Sequence, residues 1–260
     1  MHNIKLEIPV GKTSKGENFE LKLLPRTQMN CFVSGCVGSG KTNLLRAIVK
    51  NTMQKYDDVE IWLLSCKSKE FYDLLPHHQG RLFDVDMITE KNMTDAVMKL
   101  HNESRERIDI LKQYGVNSFA ELNTDIKKTR LLVLIDDFHK LGQVLANNYE
   151  LECMFSELLA IGRAIGLSFV ITDQFPKNRC NGLSNRAKGF IQVLISFKNQ
   201  NVFEALDDFA HCFDEAEKNR AYDYLIDTGS FITVDNSSNS DLFFTPHITC
   251  VQAEYIPYKP

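Results

Sequence analysis

The sequence has no apolar run approaching the 18 or so residues that a bilayer-spanning helix needs. Its opening, M-H-N-I-K-L-E-I, lacks the apolar core of a signal peptide. The expected location is the cytoplasm, with recruitment to a membrane complex as an option. The seven cysteines (31, 36, 66, 153, 180, 212 and 250) contain no C-x-x-C pair, and no matching Cys/His pair completes a zinc site around Cys31 and Cys36. An odd number of scattered cysteines in apolar surroundings reads as reduced thiols. There is no excess of positive charge either. The net charge of −4 excludes a chain that is basic all over, although not a local basic channel. Repeats, low-complexity tracts and Pro/Gly/Ser-rich linkers are absent, so composition marks no boundary within the 260 residues. What is present is ordinary globular material, 43% hydrophobic and 25% charged, enough for one large α/β domain or two small ones.

Two short alternating segments, I-K-L-E-I-P-V and F-E-L-K-L-L, flank the turn-rich G-K-T-S-K-G-E-N and predict a β-hairpin. Within it, Gly11-Lys12-Thr13 looks like the tail of a phosphate loop. No glycine stands five residues earlier and no helical pattern follows, so it is read as a turn. Apolar strand candidates then alternate with helical ones. The strands are at 30–34, 59–65, 131–135, 167–172 and 190–197, and the helices at about 41–55, 94–114 and 149–164. Thr94 is the expected N-cap of the second helix, Val97, Leu100, Ile108 and Leu111 its apolar face, and Gly115 its stop. Strands this continuously hydrophobic imply a largely parallel sheet covered on both faces.

Directly after the strand 30–34 comes G-C-V-G-S-G-K-T, which fits G-x-x-x-x-G-K-[ST] between a strand and a helix. The eight residues are Gly35, Cys36, Val37, Gly38, Ser39, Gly40, Lys41 and Thr42. The glycines let backbone N–H groups turn inward onto phosphate oxygens, and the following helix adds its N-terminal dipole. Lys41 is expected to reach the β- and γ-phosphates, and Thr42 to offer its hydroxyl to Mg²⁺, so the cofactors expected are ATP and Mg²⁺.

Such a site needs a second strand ending in carboxylate, and L-L-V-L-I-Asp136-Asp137 supplies one. Asp136 is expected to hold Mg²⁺, through water or through Thr42's shell, and Asp137 to polarise the attacking water as general base. A third strand ends at Asp173-Gln174-Phe175-Pro176. Gln174 is the candidate to hydrogen-bond the γ-phosphate or the water without adding charge. Arg163, in A-I-G-R-A-I-G-L, is a candidate to reach a neighbouring subunit's site, where charge grows on the transferred phosphoryl group.

These segments together resemble the motor domain of the FtsK/SpoIIIE family, within the wider FtsK–HerA group. The similarity is carried by I-P-V-G-K, by L-P-R-T-Q-M-N-C-F-V-S-G (24–35), by E-S-R-E-R-I-D-I-L-K-Q-Y-G-V-N-S-F-A-E-L-N (103–123) and by G-R-A-I-G-L-S-F-V-I-T-D-Q-F-P (162–176). It extends from about residue 7 to residue 234. It implies a RecA-like core in one domain, residues 1–260, made of a hairpin over 1–25 and a nucleotide-binding core over 26–260. It further implies a hexameric ring that hydrolyses ATP at subunit interfaces and usually pumps double-stranded DNA. The family also admits a type VII secretion branch acting on proteins, so a secretion or membrane partner stays an alternative. Three departures stand out: Asp137 replaces the usual Glu, Phe175 replaces an arginine, and neither a membrane-spanning N-terminal region nor a C-terminal winged-helix domain is visible. A carboxylate one methylene shorter sits back by about 1 Å, and misplacement on that scale can cost ~10²-fold in rate. The shorter side chain therefore also motivates a third reading, a nucleotide-dependent assembly module with little hydrolysis.

From Gln174 through Phe203 there is no Asp or Glu, while Lys177, Arg179 and Arg186 fall in that stretch. These three are the candidate DNA contacts, positioning phosphates without reading sequence. Lys67 and Lys69, after the second strand, are given no site.

Overall fold

Alternation along each central strand sends successive apolar side chains into two separate cores, which is why those strands read as unbroken hydrophobic runs. The computed structural model describes residues 5–23, 30–78, 80–122, 129–175, 177, 180, 182–199, 214–225, 227–234 and 248–258. Its strands are β1 (Leu6–Thr13), β2 (Asn18–Leu23), β3 (Asn30–Ser34), β4 (Val59–Ser65), β5 (Leu82–Asp86), β6 (Arg130–Asp136), β7 (Leu167–Asp173), β8 (Val193–Phe197), β9 (Ser230–Val234) and β10 (Thr249–Ala253). They form one sheet in the order β2-β1-β10-β9-β8-β3-β7-β6-β4-β5. The half from β8 to β5 is parallel and the half from β2 to β9 is antiparallel, joined by the antiparallel β8–β9 pair.

The helices are α1 (Lys41–Lys55), α2 (Glu90–Tyr114), α3 (His139–Asn147), α4 (Tyr149–Ile165), α5 (Asn185–Gly189) and α6 (Glu215–Tyr224). On one face Phe32, Trp62, Val133, Ile135, Phe169 and Ile171 meet α2, α3 and α4 through residues such as Val97, Leu141 and Phe155. On the other face Val33, Ile61, Leu63, Leu132, Leu134 and Val170 meet α1 through Leu44, Leu45 and Ile48, and meet the hairpin through Ile8 and Leu21. The fold is thus the expected α/β arrangement, a mainly parallel RecA-like sheet with helices on both faces.

The hairpin forms as expected, and β10 stitches it into the main sheet. Gly11-Lys12-Thr13 is not its turn, however. These residues finish β1, and the turn lies just beyond, where Thr13 N donates to Glu17 O at 2.8 Å. Gly11 is required by a close approach, since a Cβ there would sit 2.2 Å from Gln252 O of β10. Helix α2 starts four residues earlier than its apolar periodicity suggests. Thr89, not Thr94, is the N-cap, with its side chain accepting from Asn92 N at 3.1 Å and Glu90 in the first turn. Gly115 ends the helix at φ 63 as expected. The segment 190–197 becomes strand only from Val193. Helix α3 and the strands β5, β9 and β10 are additions that the apolar pattern does not show.

Among the described residues no helix is long and apolar enough to cross a membrane. Six described cysteines are free thiols, while Cys212 lies outside the described residues.

Candidate nucleotide-binding site

Register brings the ends of the parallel strands to one level. Ser34 of β3 sits opposite Asp173 of β7 and Ser196 of β8, and Asp136 of β6 sits opposite Ser65 of β4. Ligands of open α/β sheets bind outside such carboxyl ends. The loop Gly35–Gly40 leaves β3 at this edge, tied down by Gly35 N to Asp173 O (3.2 Å) and Cys36 N to Lys198 O (2.8 Å). Gly40 caps α1 at φ 116, a conformation that other residues avoid. Gly35 is required by space, because a Cβ would lie 2.5 Å from Ser39 Oγ and 2.7 Å from Phe197 Cβ.

Lys41 is 7% exposed and donates to the loop's own carbonyls, Gly35 O at 2.6 Å and Cys36 O at 3.0 Å. Burial lowers its pKa, with Asp137 and Asp136 pulling the other way. Ser39 Oγ is buried with no hydrogen-bond partner among the described residues. An unsatisfied hydroxyl inside a glycine-rich loop at a helix N-terminus suits a phosphate oxygen.

Asp136 is buried and holds two hydroxyls. Thr172 Oγ1 donates to Oδ1 at 2.9 Å, and Thr42 Oγ1 reaches Oδ2 at 3.5 Å. Burial, then the charge of Asp137, pushes its pKa up to about 6, against the opposing effects of Thr172 and Lys67. A buried carboxylate beside a hydroxyl is a hard oxygen donor set that fits Mg²⁺, an ion usually held by one or two carboxylates together with substrate phosphates.

Asp137 has φ 56, the one positive φ outside glycine among the described residues. Its N–H donates to Thr172 Oγ1 at 3.2 Å, so one buried hydroxyl steadies both aspartates. Its carboxylate forms an ion pair with Lys67. Burial raises the Asp137 pKa, but the hydrogen bond and charge of Lys67, with help from Lys41 and His139, outweigh it and leave a net lowering. The Lys67 pKa rises, chiefly through the same hydrogen bond.

The remaining candidates are placed as follows. Gln174 is half-buried and directly follows Asp173, the residue whose carbonyl anchors Gly35. Arg163 is exposed in the last turn of α4. That turn precedes β7, so roughly 20 Å of strand, at ~3.3 Å per residue, separates it from the loop of its own subunit. Lys177 is 5% exposed. Arg179 lies outside the described residues. Arg186 is exposed on α5, whose N-cap is Ser184.

Two residues at this edge were not singled out as site residues from sequence. Thr172 closes the predicted strand 167–172 and was given no role. Lys67 was named but given no site, because its partner Asp137 is 70 positions away in the sequence, one residue past the end of β6.

A glycine-rich loop, its lysine and threonine, and a buried strand-end aspartate on a RecA-like sheet define a P-loop ATPase fold. The sequence pattern of the FtsK/SpoIIIE family matches residues 2–177, and the chain belongs to that family. Among curated relatives, DNA translocase FtsK of Chlamydia pneumoniae is 25% identical over 221 residues, covering 76% of this chain and 26% of that protein. DNA translocase FtsK of Lactococcus lactis subsp. cremoris is 24% identical over 189 residues, covering 66% of this chain and 24% of that protein. The chain therefore spans about a quarter of the length of the curated relatives it matches. Among solved structures, the pCW3 conjugation coupling protein TcpA with ATPγS superposes with a TM-score of 0.68 at 17% identity, covering 98% of this chain and 66% of that one. The cytoplasmic domain of the Thermomonospora curvata type VII secretion ATPase EccC gives 0.69 at 16% identity, covering 99% and 29%. At these identities the likeness is one of fold.

Proposed function

We propose that this chain is an ATP-hydrolysing motor subunit that moves double-stranded DNA through a homo-oligomeric ring, a hexamer by family resemblance, in the cytoplasm or at a membrane complex. The observation that carries the reading is the Thr42–Asp136–Thr172 chain, which sets a strand-end carboxylate against the phosphate loop of an FtsK/SpoIIIE-family fold. The names of the curated relatives support DNA as the substrate.

In this reading the backbone of Gly35–Thr42 cradles the phosphates, and Lys41 exchanges its two loop carbonyls for β- and γ-phosphate oxygens. Thr42 and Asp136 hold the magnesium ion, which when bound neutralises charge on the transferring phosphoryl group. Asp137 stays ionised at neutral pH because Lys67 lies against it, and it orients the attacking water once that pair parts. Gln174 contacts the γ-phosphate or the water. Arg163, too far from its own loop, serves the next subunit in the ring. Arg186 contributes to a DNA-facing surface, with backbone phosphates as its target.

The test is ATPase turnover with magnesium, with and without long double-stranded DNA, across a range of protein concentrations. Magnesium dependence and a rate that rises with DNA length are expected. A rate indifferent to DNA at every concentration would remove DNA as the substrate.

A further inference from the structure

The ion pair between Lys67 and Asp137 joins two side chains of unequal freedom. That of Asp137 is 9% exposed and leaves a backbone fixed at positive φ, whereas that of Lys67 is 49% exposed. An ammonium group carries three hydrogens, so a lysine that holds one carboxylate oxygen can hold a second anion at the same time.

The Lys67 backbone, in contrast, is held in place. Lys67 N donates to Ser65 Oγ at 2.9 Å, and Lys67 O accepts from Glu70 N at 3.0 Å. Arg46 of α1, itself 4% exposed, braces the next turn. It donates to Glu70 O and to both carboxylate oxygens of Asp73, at 2.7 and 2.6 Å. Helix α1 begins with Lys41 and Thr42. One buried guanidinium therefore fixes the Lys67 segment relative to the phosphate loop, while half of the lysine side chain stays in solvent.

Sheet order says which part of a ligand that ammonium can meet. Lys67 follows β4, which is separated from β3 by β7 and β6, three inter-strand steps or about 14 Å. Lys41 approaches from the β3 side and Lys67 from beyond β6, with Asp136 and Asp137 between them. Lys41 feels the charges of both aspartates and of Lys67, after the larger effect of its own burial. In the proposed site the inner phosphates of a nucleotide lie in the loop, and the terminal phosphoryl group is the part that extends toward β6 and Asp137. An ionised carboxylate and a terminal phosphate repel each other unless a cation stands between them. Lys67 is the cation already seated on Asp137.

We propose that Lys67 is a terminal-phosphate contact, bridging Asp137 and the γ-phosphoryl group of a bound triphosphate and so distinguishing it from a diphosphate. The proposal rests on the nucleotide-binding reading of Gly35–Thr42. With a diphosphate in the loop, the ammonium stays on Asp137 and covers its carboxylate. With a triphosphate, the ammonium turns toward the new anion, and Asp137 is opened to water.

The experiment measures binding of Mg·ATPγS and Mg·ADP to the full chain by calorimetry, in wild type, Lys67→Met, Lys67→Arg and the double variant Lys67→Met/Asp137→Asn. Lys67→Met loses a hydrogen bond to a charged group, so ATPγS binding is expected to weaken by about 10- to 100-fold. ADP binding should stay within about 3-fold of wild type. Lys67→Arg keeps the preference for ATPγS. Removing the Asp137 charge as well recovers part of the lost affinity, because the repulsion goes with it. An equal loss for both ligands overturns the proposal and makes Lys67 a brace of the site. An ATPγS affinity unchanged in Lys67→Met overturns it too, and leaves Lys67 a partner of Asp137 alone. If wild type binds neither ligand, the nucleotide reading itself fails and the proposal with it. Lys67→Gln replaces the Met variant if that one does not fold.

Discussion

Replacing Asp136 by Asn should stabilise the ligand-free protein while disabling it. Asp136 is 3% exposed, and burial together with its anionic neighbour Asp137 pushes its pKa from 3.8 to about 6. The folded protein therefore holds this proton to a higher pH than the unfolded chain does. Between about pH 4 and 6 folding takes up a proton, so the contribution of Asp136 to stability falls as pH rises and is fully unfavourable above 6. A rise from 3.8 to about 6 corresponds to about 3 kcal/mol. Asparagine resembles the protonated acid: its carbonyl still accepts from Thr172 Oγ1, and its amide faces Thr42 Oγ1. Asp136→Asn should match wild type near pH 4 and exceed it by about 3 kcal/mol at pH 8, a gain of ~6–10 °C in melting temperature for a chain of this size. The assay is thermal unfolding against pH in EDTA, repeated with magnesium. Magnesium should raise the wild-type melting temperature and leave that of the variant unmoved. A stability difference independent of pH, or a variant less stable at pH 8, would refute the electrostatic reasoning.

Asp137→Asn should abolish ATP turnover with the fold intact, because Asn tolerates the positive φ at this position. Asp137→Glu should keep turnover or raise it, and an Asn variant as fast as wild type would end the role of general base. Thr172→Val removes the hydroxyl that donates to Asp136 and accepts from Asp137 N, so it should cost about 1–3 kcal/mol in denaturant melts and weaken hydrolysis. Phe155→Ala, in the core between Phe138 and Phe169 and far from the loop in sequence, should cost about 3–5 kcal/mol without changing nucleotide affinity in the folded fraction.

The legible parts of this protein are those whose physics is local. A glycine at φ 116 followed by lysine and threonine at a helix start is written in consecutive residues, and so is a strand of alternating faces that ends in aspartate. Helix α2 was visible through its apolar face, but its start was misplaced, because the Thr89 cap precedes the first apolar turn by a helical turn. Helix α3 was hidden by Gly142, a poor helix former. The close approach there accounts for Gly182, on which a Cβ would stand 2.0 Å from Gly142 O. The burial of Lys177, 5% exposed, was not legible either, because composition records charge and not exposure.

The sequence by itself determined a P-loop ATPase fold of the FtsK/SpoIIIE family, because each motif carries its own backbone requirement and apolar period. The tertiary structure decided what surrounds those motifs. The register of β4, β6 and β7 brings Ser65, Asp136 and Thr172 level, and so sets Lys67 against Asp137 and one threonine beneath two aspartates. The return of the chain after β10 puts Tyr255 and Tyr258 beside Thr42 from more than 200 residues away. Such contacts follow from strand pairing and packing over long separations, for which no short stretch of sequence has a period or a spacing.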